Sequence, residues 1–250
     1  MRAPGVCERL GPVETMLSLD EVHVWSFALD TSATRRNRLG RTLSADEVER
    51  AGRFRFERDR DRYVAGRGAL RAILGRYLNL HPTVVAFTYG AHGKPALAGE
   101  ARDVELGFNL SHSEDLALVA VTAGRAVGVD LEAWRPFERI SDVPASIFSP
   151  RELAEFQSLA PALRQEAFFN AWTRKEAIVK ATGRGFSTDV AEVEVTFVPG
   201  QPAGVVRLHG DTSIAAEWTV RELFVAPRFA AALAVHGPIG EIRRFPWMGA

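Results

Sequence analysis

The sequence predicts an α+β fold made of two similar α/β halves that meet near residue 125. The order of its patterns leads to this prediction, because a strand, helices and strands are followed by a second strand, helices and strands. Hydrophobic residues make up 46% of the chain and charged residues 25%, which is typical of a folded globular protein. We expect a first half at 19–125, a second half at 126–240, and peripheral ends at 1–18 and 241–250.

The elements of the first half follow from hydrophobic periodicity and helix signals. The segment EVHVWSFAL, residues 21–29, alternates apolar and polar side chains as a strand does. Ser44 and Glu47 form a capping box, so we expect a helix to begin there. Apolar residues at helical spacing predict a second helix over about 60–79, and VVAFTYG at 84–90 predicts a short strand.

Two strongly apolar segments, 115–123 and 126–134, lie on either side of the boundary between the halves. They predict a β-hairpin with its turn at Gly124-Arg125. A further capping box predicts a helix over 150–159, and the longest helical pattern covers 162–182. Alternating segments then predict strands at 193–198, 204–210, 215–223 and 229–237.

Composition excludes several classes of protein. The formal net charge is zero, so the chain as a whole is not attracted to nucleic acid or to an anionic membrane. The single cysteine, Cys7, rules out an intramolecular disulfide and a cysteine-rich zinc site. No stretch approaches the roughly 18 apolar residues of a membrane span, and the first residues lack the apolar core of a signal peptide. We expect a cytoplasmic monomer with no nucleic-acid or membrane partner.

Lysine is rare in this chain. Of the 31 basic residues, only Lys94, Lys175 and Lys180 are lysine, and the others are arginine. A lysine ammonium is a compact charge that can give up a proton, whereas the planar arginine guanidinium stays charged. All three lysines lie in segments that carry candidate site residues. We interpret the three lysines as functional residues of the candidate site. The alternative is that they lie in these segments by chance.

Two neighbouring carboxylates form the first candidate site. Asp130 and Glu132 lie two residues apart in the predicted strand VGVDLE and therefore project from the same face. Like charges this close are costly unless a cation lies between them. Mg²⁺ is a hard cation that proteins hold with a few carboxylates and substrate phosphates. A solvated strand end is the alternative.

The longest predicted helix carries a third acid. Trp172, Glu176 and Lys180 lie four residues apart and form one ridge of that helix. Glu176 could join Asp130 and Glu132 around a metal ion, and Lys180 would then lie beside the same anionic ligand. The alternative is a glutamate–lysine pair on a solvated helix face.

Other polar residues could hold a ligand that carries phosphate. Ser111 and His112, in the polar segment FNLSHS, can hydrogen-bond a phosphate or a base edge, and Lys94 could reach a phosphate from a turn. Arg58 and Arg67 lie in an arginine-rich helical region, where a partly buried guanidinium needs an anionic partner. The alternatives are a turn with a capping serine, a loop lysine, and salt bridges to neighbouring acids.

Taken together, and in this order, these motifs resemble the Sfp-type 4′-phosphopantetheinyl transferases. That family shows a Gly-Lys-Pro turn, then Asn-x-Ser-His-Ser, then Gly-[Val/Ile]-Asp-x-Glu, then Phe-x-x-x-Trp-x-x-Lys-Glu-x-x-x-Lys. Here the four motifs occupy residues 93–95, 109–113, 128–132 and 168–180. The matching span runs from about 50 to 185, which is over half of the chain.

The resemblance implies a pseudo-dimeric fold with coenzyme A bound in the cleft between the halves. It also implies that Asp130, Glu132 and Glu176 hold Mg²⁺ against the pyrophosphate. The implied contacts to coenzyme A come from Arg58, Arg67, Lys94, Pro95, Ser111, His112, Lys175 and Lys180. Glu152 matches a family glutamate near the catalytic groove, but its place in a capping box explains it equally well.

The implied reaction is an in-line attack by a serine hydroxyl of an apo carrier protein on the β-phosphorus of coenzyme A. Adenosine 3′,5′-bisphosphate leaves. In this hypothesis Asp130, Glu176 and Lys180 are the catalytic residues, with Glu176 as the base and Lys180 beside the leaving phosphate, while Lys175 contacts the bridging phosphates. An acidic acyl, peptidyl or aryl carrier protein is the expected partner, steered by arginines. The sequence leaves the biosynthetic pathway open.

Three other functions stay open at this point. The arginines of 35–76 suggest a nucleic-acid-binding module, although acidic residues are interleaved with them. A metal-dependent phosphohydrolase could use the same three carboxylates with water as the acceptor. A non-catalytic scaffold, in which the three acids never meet, is the remaining possibility.

Overall fold

The structure is a computed structural model that describes residues 17–135, 145–183 and 190–248. Helices and strands occur throughout these ranges, so the predicted mixture of α and β structure is confirmed. The predicted peripheral end at 1–18 lies almost entirely outside the described residues. None of the helices within the described ranges combines the length and the apolar character that a membrane crossing requires.

Most of the predicted elements form close to their predicted bounds. The first half contains β1 (Glu21–Ala28), α1 (Ala33–Gly40), α2 (Ala45–Gly52), α3 (Glu57–Leu78), β2 (Ala86–Tyr89), β3 (Pro95–Ala98), β4 (Leu106–Ser113) and β5 (Leu116–Ala123). The second half contains β6 (Val127–Ala133), α4 (Pro150–Ser158), α5 (Pro161–Thr182), β7 (Val193–Val195), β8 (Val205–Leu208), α6 (Thr212–Ala216), β9 (Trp218–Glu222) and β10 (Phe229–His236), and β11 (Glu241–Pro246) follows it.

Local signals explain where the helices begin and end. The predicted capping box of α2 is present, and the Ser44 N–H donates to the Glu47 carboxylate at 2.9 Å. The same arrangement opens α4, where the Ser149 hydroxyl accepts from the backbone of the helix. Helix α5 begins at Pro161, whose missing N–H costs nothing there, and ends at Gly183, which adopts a left-handed φ of 70°.

The larger strands form two sheets. The first sheet has the order β11-β1-β5-β4, and the second has the order β6-β10-β9. Strand β11 pairs parallel with β1, whereas the other neighbours in both sheets pair antiparallel. Two short antiparallel ribbons, β2-β3 and β7-β8, complete the paired strands of the described residues.

The two sheets pack face to face between the two long helices. Val119 of β5 packs with Leu70 of α3, whereas the next residue along the chain, Leu118, packs with Leu233 of the second sheet. On the outer face of that sheet, Ala232 packs with the residues of α5. Strand β5 is therefore buried on both faces, which explains why its sequence is apolar at every position except Thr122.

The predicted hairpin at the boundary is wrong. Both strands form, but β5 is hydrogen-bonded to β1 on one side and to β4 on the other, so it has no free edge. Strand β6 pairs with β10 in the second sheet instead. The turn at Gly124-Arg125 therefore carries the chain from one sheet to the other, with Gly124 at a φ of 65°.

Two segments near the end of the chain also differ from prediction. Within the predicted peripheral end, Glu241–Pro246 forms a strand that pairs with the edge of β1, and Trp247 packs into the first core. The segment 215–223 is not one strand, since its first residues end helix α6, which Asp211 caps by accepting from the Ser213 N–H at 2.7 Å. Helix α6 has only five residues, which is too short for apolar residues at helical spacing to be recognised in the sequence.

Candidate functional site

The candidate site lies where strand β6 and helix α5 approach each other closely. Gly128 permits this approach, because a Cβ atom there would lie 2.0 Å from the Ala177 carbonyl oxygen and 2.5 Å from the Ala181 nitrogen. Asp130 lies two residues after Gly128 on the strand, and Glu176 lies directly before Ala177 on the helix. The close backbone contact therefore brings the strand acid toward the helix acid.

The three predicted acids influence one another. The pKa of Glu176 is raised to about 7, first by burial and then by the negative charge of Asp130. The pKa of Glu132 is raised as well, with burial as the largest cause and Asp130 as the second. Full ionisation of the three carboxylates is therefore costly, and a nearby positive charge reduces this cost.

Lys180 supplies one positive charge at this position. Its Nζ atom lies 2.5 Å from Asp130 Oδ1 and donates to the Ser111 hydroxyl at 3.0 Å. Ser111 in turn donates to the same Asp130 oxygen at 3.0 Å. The predicted catalytic residues Asp130, Glu176 and Lys180 thus belong to one cluster, and Ser111 is part of it.

The donor set fits a divalent cation. Within the described ranges, no three histidine, cysteine or acidic side chains form a metal site as they stand. Two buried carboxylate oxygens, Asp130 Oδ2 and Glu176 Oε1, have no hydrogen-bond partner in the part of the chain that the structure describes. Buried anionic oxygens without partners are costly, and carboxylate oxygens are the ligands that Mg²⁺ prefers. Both oxygens are thus suited to a hard cation.

The segment that carries Ser111 and His112 is a strand rather than a turn. Residues 109–113 belong to β4, so the side chains of Asn109, Ser111 and Ser113 point to one face and that of His112 to the other. The His112 side chain is exposed at the surface. Its pKa is nevertheless lowered, first because the surrounding protein partly desolvates the imidazole and then because Lys180 is positively charged. A neutral imidazole at this place can donate one hydrogen bond and accept another.

A surface cleft of about 400 Å³ opens beside the acids. Glu132, His112 and Arg58 line it, and Arg58 lies in the first turn of α3. Two aromatic side chains, those of Phe54 and Tyr63, also line the cleft. Guanidinium, imidazole and aromatic groups together suit a ligand that combines phosphate with a planar base.

Comparison with known proteins decides the family. Residues 31–124 match the family model described as 4′-phosphopantetheinyl transferase, N-terminal, and residues 126–234 match the 4′-phosphopantetheinyl transferase superfamily. The 4′-phosphopantetheinyl transferase HetI of Nostoc sp. is 42% identical over 90% of this chain and 92% of its own. The chain belongs to the 4′-phosphopantetheinyl transferase superfamily.

Other relatives carry the same family name. The 4′-phosphopantetheinyl transferase AcpT of Escherichia coli K12 is 40% identical over 55% of this chain and 65% of its own. The human L-aminoadipate-semialdehyde dehydrogenase-phosphopantetheinyl transferase is 27% identical over 80% of this chain and 69% of its own. A solved Chronobacterium ammoniagenes ACPS-CoA complex is weakly similar, with 25% identity and a TM-score of 0.35 over 44% of this chain and 95% of that chain.

Lys94 of this transferase has partners within the protein. Its ammonium donates to the carbonyl oxygens of Val127 at 3.2 Å and Ala181 at 2.9 Å, and burial lowers its pKa to about 8. Lys94 therefore ties the β2–β3 ribbon to β6 and to the end of α5. Pro95 follows as the first residue of β3, opposite Tyr89. Contact of Lys94 or Pro95 with coenzyme A stays a prediction.

Arg67 also has a protein partner, as the salt-bridge alternative anticipated. Its Nε atom donates to the buried carboxylate of Glu47 at 2.5 Å, and its guanidinium reaches the Tyr89 hydroxyl. Arg71 donates to the other oxygen of Glu47 at 2.6 Å. The acid comes from α2 rather than from the neighbouring Asp59 or from a phosphate. Contact of Arg67 with coenzyme A is a prediction that would require this network to change.

Lys175 also has partners within the protein, and its contact with the bridging phosphates stays a prediction. Lys175 is fully buried, and its ammonium donates to Glu152 at 2.7 Å and to the Val193 carbonyl at 2.5 Å. Glu152 also accepts from the backbone N–H of Val195 at 2.9 Å. Residues 175 and 176 are adjacent, and adjacent helical side chains point about 100° apart. Glu152 and Lys175 thus have a structural role.

We expect this buried pair to matter for stability. Replacing Lys175 with alanine leaves the Glu152 carboxylate buried without its cation, and such a loss costs about 3–5 kcal/mol of unfolding free energy. Urea unfolding followed by circular dichroism measures this cost. The exposed pair Arg53–Glu49 provides the control, because Arg53→Ala is expected to cost about 1 kcal/mol or less. Equal costs for the two variants would contradict the structural role of Lys175.

Sequence reasoning assigned no role to three residues that shape the site. Gly128 allows the close approach of β6 and α5, and Asn109 and Ser113 hydrogen-bond to β6. The alternation of apolar and polar residues from Phe108 to Ser111 was a strand signal, and its period of two could have placed Asn109 and Ser113 on the face of Ser111. No local signal reveals what a strand glycine contacts.

Proposed function

We propose that this transferase moves the 4′-phosphopantetheine arm of coenzyme A onto a serine of an apo carrier protein. The reaction depends on Mg²⁺ and releases adenosine 3′,5′-bisphosphate. One observation carries the proposal: Asp130, Glu176 and Lys180 cluster beside a cleft lined by Arg58 and His112. Carboxylates for a cation and basic groups for phosphates are what the transfer of a phosphate-linked group needs.

The oxygens without hydrogen-bond partners support the proposed binding roles. Asp130 Oδ2 and Glu176 Oε1 would hold Mg²⁺, with the charge of Glu132 beside them. When bound, the ion neutralises the pyrophosphate and acts as a Lewis acid on it. Arg58 and His112 would hold the adenosine 3′-phosphate end in the cleft between the two halves, which we take to be a pseudo-dimer. The Ser111 hydroxyl would orient Asp130 and Lys180 through its hydrogen bonds to both side chains.

The protein's own groups can move the proton. The carrier serine oxygen forms a bond to the β-phosphorus while the bond from that phosphorus to the bridging oxygen breaks. Glu176 takes the hydroxyl proton through the carboxylate oxygen that does not hold the cation, as a positioned general base. Lys180 lies where it can stabilise the negative charge of the leaving phosphate or protonate it. The partner is a carrier protein with acidic groups, which favour its binding to an arginine-rich surface of the transferase.

Intact-mass spectrometry tests the proposed function. Apo forms of acyl, peptidyl and aryl carrier proteins are incubated with the enzyme, coenzyme A and Mg²⁺. We expect at least one carrier to gain roughly 340 Da, the mass of the transferred arm in this phosphoryl-transfer chemistry. A carrier whose serine is replaced by alanine is the control. Consumption of coenzyme A without any carrier, and with no mass gain, would instead support a phosphohydrolase.

The role of Lys180 makes a separate prediction. Lys180→Arg keeps a positive charge, but a guanidinium gives up no proton and is bulkier than an ammonium beside Asp130. We expect the turnover number to fall about 100-fold, as is typical when a positioned acid or base is removed. Arg221→Lys, an exposed exchange on β9, is the reference for a harmless change of cation. Wild-type turnover in Lys180→Arg would remove proton transfer from the role of this residue.

A further inference from the structure

Strands β4 and β6 lie side by side without sharing a backbone ladder. In the described residues β4 pairs with β5, and β6 pairs with β10. Side chains from alternate positions of β4 connect them instead. The Asn109 Oδ1 atom accepts from the Val129 N–H at 2.9 Å, and Ser111 donates to Asp130 at 3.0 Å. The third of these side chains is Ser113, at the end of β4.

Ser113 makes two contacts with β6 at the far end of the acidic segment. Its hydroxyl oxygen accepts from the Ala133 N–H at 3.0 Å and lies 3.0 Å from Glu132 Oε2. A serine hydroxyl carries one proton, and the backbone N–H can only donate, so that proton goes to Glu132. Ser113 is 6% exposed, which leaves little room for water to replace the contact.

Glu132 is therefore held at both oxygens. Its Oε1 atom lies 3.4 Å from the indole N–H of Trp172, on the ridge of α5 that also carries Glu176. Asp130 Oδ2 and Glu176 Oε1, in contrast, have no partner among the described residues. Glu132 thus differs from the other two acids, because donors from β4 and α5 engage both of its carboxylate oxygens.

We infer that Ser113 is a positioning residue for the divalent-cation site. It fixes the carboxylate of Glu132 and, through the Ala133 N–H, the end of the strand that carries Asp130. The inference rests on the proposed function, because it requires a cation at these acids. Groups that orient metal-binding carboxylates in this way change metal affinity by about 10–100-fold when they are removed.

Metal affinity can be measured without turnover. Free Mn²⁺ is followed by electron paramagnetic resonance as Mn²⁺ is added to the full-length enzyme in the presence of coenzyme A. For Ser113→Ala we expect about tenfold weaker Mn²⁺ binding than for the wild type. Ser113→Thr keeps the hydroxyl on a side chain that suits a strand, and it restores most of the affinity. The control is Ser158→Ala, which removes an exposed hydroxyl of α4 that donates to the Glu155 carbonyl.

A double-mutant comparison separates positioning from general stability. If Ser113 acts through Glu132, then Ser113→Ala weakens Mn²⁺ binding much less when Glu132 is already alanine. Unchanged Mn²⁺ binding in Ser113→Ala, with a lower urea midpoint, would make Ser113 merely structural and overturn the inference. The same weakening in the Glu132→Ala background would also overturn it. A wild-type enzyme that transfers no arm and binds no Mn²⁺ would instead remove the proposed function itself.

Discussion

Replacing Asp130 with alanine is expected to abolish transfer, with a loss of about 10³-fold or more in turnover. Asp130 is 2% exposed and lies at the centre of the cluster. It accepts from Lys180 and Ser111, and its charge raises the pKa of Glu176. Its removal therefore takes away one cation ligand and releases Lys180 from its place. Glu176→Ala is expected to be as severe, because it removes the proposed base.

The fold is expected to survive both changes. Each removes a charge from a cluster where like charges repel, so the penalty for lost contacts is partly offset. Circular dichroism and thermal melting check the fold, and intact-mass kinetics on an apo carrier protein check the activity. Asp103→Ala is the control, because that carboxylate is 88% exposed and pairs with an exposed arginine. An Asp130→Ala enzyme as active as this control would exclude the proposed site.

The second large effect is expected from a single methyl group. Gly128→Ala places a Cβ atom 2.0 Å from the Ala177 carbonyl oxygen and 2.5 Å from the Ala181 nitrogen. Both are backbone atoms, so no flexible side chain can move aside, and β6 and α5 must separate. Overpacking of this kind typically costs about 1–3 kcal/mol of stability. A displacement of about 1 Å between catalytic groups can cost about 100-fold in rate.

The matched control for Gly128 is another glycine without neighbours. Gly52, at the end of α2, has nothing within 4 Å of a Cβ atom, and its φ is not in the left-handed region. Gly52→Ala is therefore expected to be neutral or slightly stabilising. Urea unfolding and turnover are measured for both variants. If Gly128→Ala unfolds and reacts like Gly52→Ala, the close approach of β6 and α5 does not position the acids.

Local sequence signals predicted the positions of helices and strands better than they predicted which strands pair with each other. Capping boxes and periodicity placed the helices that open at Ser44 and Ser149, alternation placed β1, and a strongly apolar run placed β5. The pairing of β6 depended on which strand edges were free, and no local pattern contains that information. The pairing of β11 could not be predicted for the same reason, because its partner strand β1 lies more than 200 residues earlier.

The same distinction applies to the site. Residues two apart on a strand share a face, so the proximity of Asp130 and Glu132 could be predicted from spacing alone. The burial of Lys175 could not, because it depends on Glu152, a residue that is 23 positions away and lies in another helix. The roles of Asn109 and Ser113 depend on β4 lying beside β6 without a ladder, which only the arrangement of the two sheets reveals.

A crystal structure of the enzyme with coenzyme A and Mn²⁺ tests the central claim most directly. Mn²⁺ scatters X-rays anomalously and takes the oxygen ligands that Mg²⁺ takes. We predict one anomalous peak about 2.1 Å from both Asp130 Oδ2 and Glu176 Oε1, in contact with the pyrophosphate. A pyrophosphate bound elsewhere, or a peak that lies away from these two carboxylates, would contradict the account.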